Sequence, residues 1–169
     1  TVVTADSIAL LASSPGEVVI AVDTSWEDRY EDRSLNDREI AEKVIIQNDE
    51  MVKIGRQIPI KQANAEFTGF VKLGPKAITA ISDIRNDQKK NSNLLDVPSV
   101  LSEIKNSGIK ITTVNIGNRW AELNDRMDLA KFSLRSKGET LETLAPLVKQ
   151  SVIDPLIRFT FTEWEVNPE

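Results

Sequence analysis

The chain has 169 residues, of which 40% are hydrophobic and 28% charged, a composition typical of one soluble globular domain with its own core. It contains neither cysteine nor histidine, which excludes disulfides, Cys/His zinc sites, cysteine nucleophiles and Ser-His-Asp triads. The net charge is -5 and no broad basic face is evident, so we expect neither nucleic-acid nor membrane binding. No apolar run approaches the roughly 18 residues of a membrane span and no signal peptide is visible, which favours a cytoplasmic setting.

The first third of the chain contains a short helix, a buried strand and a polar loop. Residues 5–13 are predicted to form a helix that Ser-Pro-Gly ends. Residues 17–22 form a continuous apolar run, typical of a strand that is buried on both faces. Asp23 then lies at the carboxyl end of this strand, where α/β sheets bind ligands. Residues 23–38 read as a polar loop, which is either solvated surface or a lid with Trp26 and Tyr30 over an anionic ligand.

The middle of the chain predicts a mixed α/β sheet. Residues 43–47 and 51–55 predict a β-hairpin around an Asn-Asp turn, and residues 64–73 predict a strand in which Gly69 indicates a close backbone approach. Further elements are predicted as helices at 76–90, 97–105, 125–135 and 140–148, and as strands at 109–116 and 156–162. This order of elements favours an α/β fold with a layered, mixed sheet.

Acidic and amide side chains cluster between the predicted strand 109–116 and the helix that follows it. Glu122, Asn124, Asp125 and Asp128 lie where oxygen ligands and backbone N–H groups converge. One interpretation is helix capping, with Asn124 or Asp125 as the N-cap and Asp128 in the first turn. The other is a divalent-metal site. Spacing alone leaves both interpretations open.

Four stretches, in this order, carry a resemblance to a known family. They are Val-Ile-Ala-Val-Asp-Thr-Ser-Trp-Glu-Asp-Arg-Tyr at 19–30, Glu-Lys-Val at 42–44 with Ile-Gly-Arg-Gln-Ile at 54–58, Ala-Asn-Ala-Glu-Phe-Thr-Gly-Phe-Val-Lys at 63–72, and Trp-Ala-Glu-Leu-Asn-Asp at 120–125 with Asp-Leu-Ala at 128–130. Together they resemble the nucleotidyltransferase domain that is associated with phosphoenolpyruvate mutase in phosphonate biosynthesis. That group is similar to phosphocholine cytidylyltransferases and sugar-nucleotide pyrophosphorylases. The resemblance covers most of residues 1–136.

The resemblance implies a fold and an activity. The implied fold is a Rossmann-like α/β/α sandwich with a mixed sheet and an inserted β-hairpin. The implied enzyme transfers a nucleotidyl group, usually cytidylyl from CTP, to a phosphonate or phosphate oxygen and releases pyrophosphate. Mg²⁺ is the implied cofactor. Such chemistry depends on orientation and charge neutralisation, so a chain without histidine and cysteine can perform it.

The resemblance also implies roles for particular residues. Lys43 and Lys72 are candidates to neutralise phosphate or phosphonate as catalytic groups, although solvation of a hairpin or sheet edge would also explain a lysine there. Glu122, Asn124 and Asp125 are the implied metal ligands. The implied substrate-binding residues are Asp23, Trp26, Arg29, Asn64, Glu66 and Gly69.

The chain departs from the family in one respect. The family has a Gly-rich, Lys/Arg-containing loop after its first strand, whereas the seven glycines here form no phosphate-binding cluster. The chain begins at Thr1, so we expect an N-terminally incomplete domain with its acceptor-side portion at 1–136. Residues 137–169 then close the domain or lead into a further one. Fusion to other domains and a homodimer both stay open.

Two other functions remain alternatives. A sugar-nucleotide pyrophosphorylase-like enzyme would differ in its acceptor. A non-catalytic α/β module that binds a partner or small ligand would keep the fold without the phosphate loop.

Overall fold

A computed structural model of the chain describes residues 1–30, 35–89, 95–117, 119–123 and 132. In chain order, the described helices and strands are β1 (Val2–Val3), α1 (Ala5–Ser13), β2 (Val18–Asp23), α2 (Leu35–Ile40), β3 (Lys43–Gln47), β4 (Glu50–Ile54), β5 (Ala65–Leu73), α3 (Pro75–Lys89), α4 (Val97–Asn106), β6 (Ile111–Asn115) and β7 (Trp120–Ala121). Short 3₁₀ helices span Trp26–Tyr30 and Ile60–Gln62. The chain divides into two compact units, residues 3–120, and residues 1–2 with 121–169.

Local capping explains where the longer helices begin. The Thr4 hydroxyl accepts a hydrogen bond from the Ser7 N–H at the start of α1. Asp96 caps α4 in the same way, by accepting from the Ser99 N–H at 2.9 Å. The cap of α3 comes from a distant residue, because Glu17 Oε1 accepts from the backbone N–H groups of Lys76 and Ala77. Each cap satisfies an N–H group that has no partner within its own helix.

Five strands form one mixed sheet that closes on itself, in the order β2-β5-β3-β4-β6. β2 pairs parallel with β6 and antiparallel with β5, while β3 and β4 form the predicted hairpin. The mixed sheet and the inserted hairpin are therefore confirmed. The open sheet of a Rossmann-like sandwich is not what the structure shows, because β4 returns to pair with β6 at Glu50 and Thr112. Register shifts in the β2–β5 and β3–β4 ladders bend the strands in the manner of β-bulges, which favours such closure.

The two faces of β2 pack against different parts of the core. Val18, Ile20 and Val22 belong to a cluster that includes residues of α3, α4 and the hairpin. Val19 and Ala21 belong to a second cluster with α1 and Trp120. All six residues of β2 are buried, so the predicted strand with two covered faces is confirmed. This packing holds the carboxyl end of β2 rigidly in place.

Two predictions for the first half of the chain are wrong. Residues 23–38 are not a structureless loop, since they include the 3₁₀ helix Trp26–Tyr30 and the start of α2. Trp26, Tyr30 and Ala41 bury one another in a third small cluster, which supplies the apolar surface that fixes this segment. Gly69 does not mark a close backbone approach, because a Cβ there would meet nothing within 4 Å. Its φ of +90° instead suits glycine at the irregular stretch of the β2–β5 ladder.

Several predictions fall outside the described residues. They are the helix at 125–135 apart from residue 132, the helix at 140–148, the strand at 156–162 and the domain boundary after residue 136. Within the part of the chain that the structure describes, no helix is both long and apolar enough to cross a membrane.

Candidate functional site

Two polar side chains follow from the parallel pairing of β2 and β6. Val22 is opposite Asn115, so Asp23 and Asn115 lie at the same carboxyl edge of the sheet. This is the edge where α/β proteins commonly bind ligands. The residues that follow β2 and β6 are therefore the first candidates for a functional site.

Asp23 is a buried carboxylate with 0% exposure. Its Oδ1 accepts a hydrogen bond of 2.9 Å from the Ser25 N–H, and its Oδ2 accepts one of 3.0 Å from Trp120 Nε1. Hydrogen bonds to a charged acceptor are among the stronger ones in proteins. Asp23 thus fixes both the first turn after β2 and the indole of Trp120.

Asn115 joins the ends of the two parallel strands. Its Oδ1 accepts from the backbone N–H groups of Thr24 and Gly117, at 3.3 and 3.0 Å. Its Nδ2 donates to the Thr24 hydroxyl at 2.7 Å. These three bonds orient the Asn115 amide and the Thr24 hydroxyl at the carboxyl edge.

A cleft of about 330 Å³ opens at this edge. Its lining combines the ends of β2 and β6 with the hairpin and the residue before β5: Val22, Thr24, Ile46, Asp49, Asn64, Thr113 and Asn115. A volume of this size is at the lower end of small-molecule sites. Of the predicted site residues, Asn64 lines the cleft.

Three buried charged residues form a row across neighbouring strands. Glu66 on β5 is opposite Asp23 on β2 and opposite Lys43 on β3. Directly opposed residues project from the same face of a sheet, so the three side chains share one face. Glu66 is 2% exposed and accepts a hydrogen bond of 2.7 Å from the Tyr30 hydroxyl. The structure thus brings predicted site residues of three different stretches into one row.

Lys43 is buried, with 1% exposure, rather than solvated at the hairpin edge. Its ammonium donates to the carbonyl oxygens of Arg38, Glu39 and Ala41, at 3.3, 2.6 and 3.1 Å. Desolvation lowers the pKa of Lys43, while the carboxylates of Glu42 and Glu66 act in the opposite direction. In this structure, the Lys43 ammonium supplies hydrogen-bond donors to carbonyl oxygens at the carboxyl end of α2.

The predicted lid residues belong to the 3₁₀ helix after β2. Trp26 is 1% exposed and packs edge-to-face on Tyr30, with ring centroids 5.8 Å apart. Arg29 lies on the same 3₁₀ helix. Trp26 therefore anchors this helix through the core, and its role toward substrate stays a prediction.

The remaining predicted residues on β5 and beside it are dispersed. The Asn64 amide accepts from the Ile46 N–H and donates to the Ile46 carbonyl, each at 2.8 Å. Lys72 lies near the far end of β5, where its ammonium donates to the Ser14 carbonyl. The space next to Gly69 is open. Asn64 thus acts as a strand partner for Ile46, and Lys72 ties β5 to the end of α1.

The predicted metal ligands are described only in part. Glu122 is half-buried and follows β7, whereas Asn124 and Asp125 lie outside the described residues. Among the residues that the structure does describe, no group of three or more acidic side chains is placed to hold a metal ion. The choice between helix cap and metal ligand at residues 124–125 stays a prediction.

The sequence patterns did not predict four residues that line the cleft, namely Thr24, Asp49, Thr113 and Asn115. The signal for Asn115 was available, because it lies near the end of the predicted strand 109–116. The other three depend on how the hairpin folds over β6, where the Thr113 N–H and hydroxyl both donate to the Asp49 carbonyl. That contact joins residues 64 positions apart, which no local pattern indicates.

Comparison with known proteins shows a likeness to a solved structure. No protein-family model matches the chain, and no curated protein matches it. Among solved structures, the inositol-1-phosphate CTP transferase from T. maritima is similar, with a TM-score of 0.51 and 24% sequence identity. The likeness covers 74% of this chain and 46% of that chain, so this chain spans about half the length of that transferase.

The shared property is the fold. The chain has a mixed α/β fold similar to that of a nucleotidyltransferase, as the sequence resemblance implied. The α/β/α sandwich that the resemblance implied did not include the closure of the five-stranded sheet.

Proposed function

We propose that the chain belongs to an enzyme that transfers a nucleotidyl group, cytidylyl from CTP in the first instance, to a phosphonate or phosphate acceptor. The observation that carries the proposal is the convergence of the four resembling stretches. Asp23 of the first stretch is bonded to Trp120 of the fourth, and it is opposite Glu66 of the third. Glu66 is in turn opposite Lys43 of the second. The similar fold of a CTP transferase supports the same activity.

The proposed reaction balances without a covalent enzyme intermediate. An acceptor oxyanion attacks the α-phosphorus of the NTP and forms a new P–O bond. The bond between the α-phosphorus and the bridging oxygen breaks, and pyrophosphate leaves. The protein has to orient two anions and offset their charge, which suits a chain with neither histidine nor cysteine.

The described residues would contribute orientation. The Asp23 carboxylate holds the turn at Ser25 and the Trp120 indole, and Asn115 holds Thr24. These bonds fix the carboxyl edge before a substrate arrives, which reduces the entropic cost of ordering it. The Tyr30–Glu66 bond similarly holds the 3₁₀ helix against β5.

In this proposal, Glu122, Asn124 and Asp125 are the residues that would hold Mg²⁺. Carboxylate and amide oxygens suit this ion, and it would supply charge neutralisation of the phosphates when bound. Lys43 and Lys72 stay candidate catalytic groups. A role in charge neutralisation requires each ammonium to turn from the carbonyl oxygens that now accept its hydrogen bonds.

The test is a pyrophosphate-release assay on the full-length polypeptide, with a panel of NTPs crossed with phosphonate and phosphate acceptors. Asn124→Ala and Asp125→Ala are expected to lower turnover by at least about tenfold if they hold the metal. Asp83→Ala, on the exposed face of α3, is the matched control and should leave turnover unchanged. Unchanged turnover in both site variants would show that neither residue holds the metal. No pyrophosphate release with any pair of NTP and acceptor would contradict the proposed activity.

A second candidate function is a non-catalytic module that binds a partner or small ligand. Two observations favour it: the glycines form no phosphate-binding cluster, and the Lys43 ammonium is occupied by three carbonyl oxygens. A binding measurement made beside the same assay separates the two functions. Saturable binding of an NTP or acceptor without pyrophosphate release identifies the module.

A further inference from the structure

The cleft at the carboxyl edge has a lining that differs from that of a phosphate site. It presents two hydroxyls, two amides and one carboxylate beside the partly buried side chain of Ile46. No lysine or arginine is among the described residues that line it. Phosphate sites instead concentrate cations, or backbone N–H groups at a helix start.

The two amide side chains of the lining are oriented by hydrogen bonds within the protein, and these bonds do not use all of their donors and acceptors. An amide offers two N–H donors and two acceptor positions on its oxygen. Asn115 uses both acceptor positions and one donor, for Thr24 and Gly117. Asn64 uses one donor and one acceptor position, for Ile46. Each amide therefore keeps one N–H donor for a ligand in an orientation that is already set.

Thr24 and Asp49 extend this set with a donor and an acceptor. The Thr24 hydroxyl accepts from Asn115 Nδ2, which leaves its O–H to donate. Asp49 is exposed at the hairpin turn, and its side-chain carboxylate accepts no hydrogen bond from the described residues. The cleft thus alternates donors from Thr24, Asn64 and Asn115 with an acidic acceptor.

We propose that this cleft binds the ring of a neutral polyol, such as a cyclitol or a sugar. A ring hydroxyl donates and accepts at once, so vicinal hydroxyls match alternating amide, hydroxyl and carboxylate groups. The partly buried Ile46 provides an apolar surface for a C–H face of the ring. The volume of about 330 Å³ admits one such ring.

This inference deepens the proposed function and rests on it only for one step, namely that the polyol is the non-phosphate end of the acceptor. The Asp49 carboxylate disfavours an anionic group in the cleft itself. The phosphate or phosphonate of an acceptor would thus lie outside the cleft.

The experiment is an ¹H–¹⁵N NMR titration of the full chain without nucleotide. Myo-inositol and D-glucose are the polyol probes, inorganic phosphate is the anion probe, and ethanolamine is the ammonium probe. The side-chain NH₂ resonances of Asn64 and Asn115 should shift saturably with a polyol and stay in place with phosphate and ethanolamine. Because no NTP is present, this result is independent of whether the transfer reaction occurs.

Two variants and one control make the result specific. Thr24→Val removes the free O–H and is expected to weaken polyol binding about tenfold, equivalent to roughly 1.4 kcal/mol. Asp49→Asn removes the charge but keeps a residue that tolerates its φ of 60°, and it should also weaken binding. Thr79→Val, on α3 and outside the lining, should bind as the unmodified chain does.

Three results would overturn the proposal. The first is that neither polyol shifts the side-chain NH₂ resonances of Asn64 and Asn115. The second is inorganic phosphate or ethanolamine moving them at lower concentration than the polyols do. The third is equal polyol affinity in Thr24→Val, Asp49→Asn and Thr79→Val, with folding of each confirmed by its own spectrum.

Discussion

Trp120 donates a hydrogen bond of 3.0 Å from its indole Nε1 to Oδ2 of Asp23, across 97 positions of sequence. Asp23 is 0% exposed and Trp120 is 7% exposed, so the bond lies out of solvent. The same carboxylate accepts from the Ser25 N–H. One buried anion therefore positions the carboxyl end of β2, the turn after it and the start of β7.

The strength of this relationship can be measured with a double-mutant cycle. Trp120→Phe removes the donor and Asp23→Asn removes the charge of the acceptor. Because the bond is buried and charge-assisted, we expect a coupling free energy of about 1–3 kcal/mol from urea denaturation. Additive single-variant effects would show that the two side chains do not stabilise each other.

Tyr30 and Glu66 give a second prediction. Tyr30→Phe removes a hydroxyl that donates to a buried carboxylate at 2.7 Å. The expected loss is about 1–3 kcal/mol in the free energy of unfolding, because the carboxylate loses a donor away from solvent. The same substitution in a Glu66→Gln background should cost less, since a neutral amide oxygen is easier to leave without that donor. An equal cost in both backgrounds would contradict the charge-assisted bond.

Lys43 gives a prediction about alkaline pH. Burial lowers its pKa below the ordinary value of 10.5. Between the folded pKa and 10.5, the unfolded chain therefore binds more protons than the folded chain, and stability rises with pH. The free energy of unfolding of the unmodified chain, minus that of Lys43→Met, should increase as pH rises through this window.

This measurement needs a control at a lysine that is not buried. Lys110→Met, at an exposed ion pair with Glu50, is the matched control. If the difference for Lys43→Met rises with pH no more than the difference for Lys110→Met does, the lowered pKa of Lys43 is wrong.

Asp96 gives the opposite pH dependence. Hydrogen bonds with the hydroxyl and the backbone N–H of Ser99 lower the pKa of Asp96. Its contribution is therefore present above the ordinary pKa of 3.8 and is lost as pH falls through the folded pKa. Asp96→Ala should cost about 1 kcal/mol at neutral pH, and this cost should shrink in acid.

The control for this cap is Asp96→Asn, which keeps a side-chain oxygen for the Ser99 N–H. It should cost only a few tenths of a kcal/mol at neutral pH. Equal losses for the alanine and asparagine variants would mean that charge, and not the cap, stabilises α4.

Much of the fold followed from patterns within single segments. The continuous apolar run ending at Asp23 predicted a strand with two covered faces, and all of β2 is buried. The Asn48-Asp49 pair predicted a hairpin turn, and both residues have positive φ. The Ser-Pro-Gly stretch predicted the end of the first helix, and α1 ends at Ser13.

The features that sequence did not predict depend on distant contacts. A lysine at a strand start is normally solvated, and only the fold of α2 over β3 gives the Lys43 ammonium its three carbonyl partners. The segment after Asp23 is polar in composition, yet Trp26 and Tyr30 bury themselves against Ala41 and order it. The cleft likewise exists only because the hairpin approaches β6 at Glu50 and Thr112.

The most direct test of the proposed transfer is ³¹P NMR of the full-length polypeptide with CTP, Mg²⁺ and each phosphonate or phosphate acceptor in turn. We expect pyrophosphate together with a pair of coupled resonances from a new cytidylyl–acceptor anhydride, formed only when an acceptor is present. CTP that stays unchanged with every acceptor, under conditions where the protein remains folded, would contradict it.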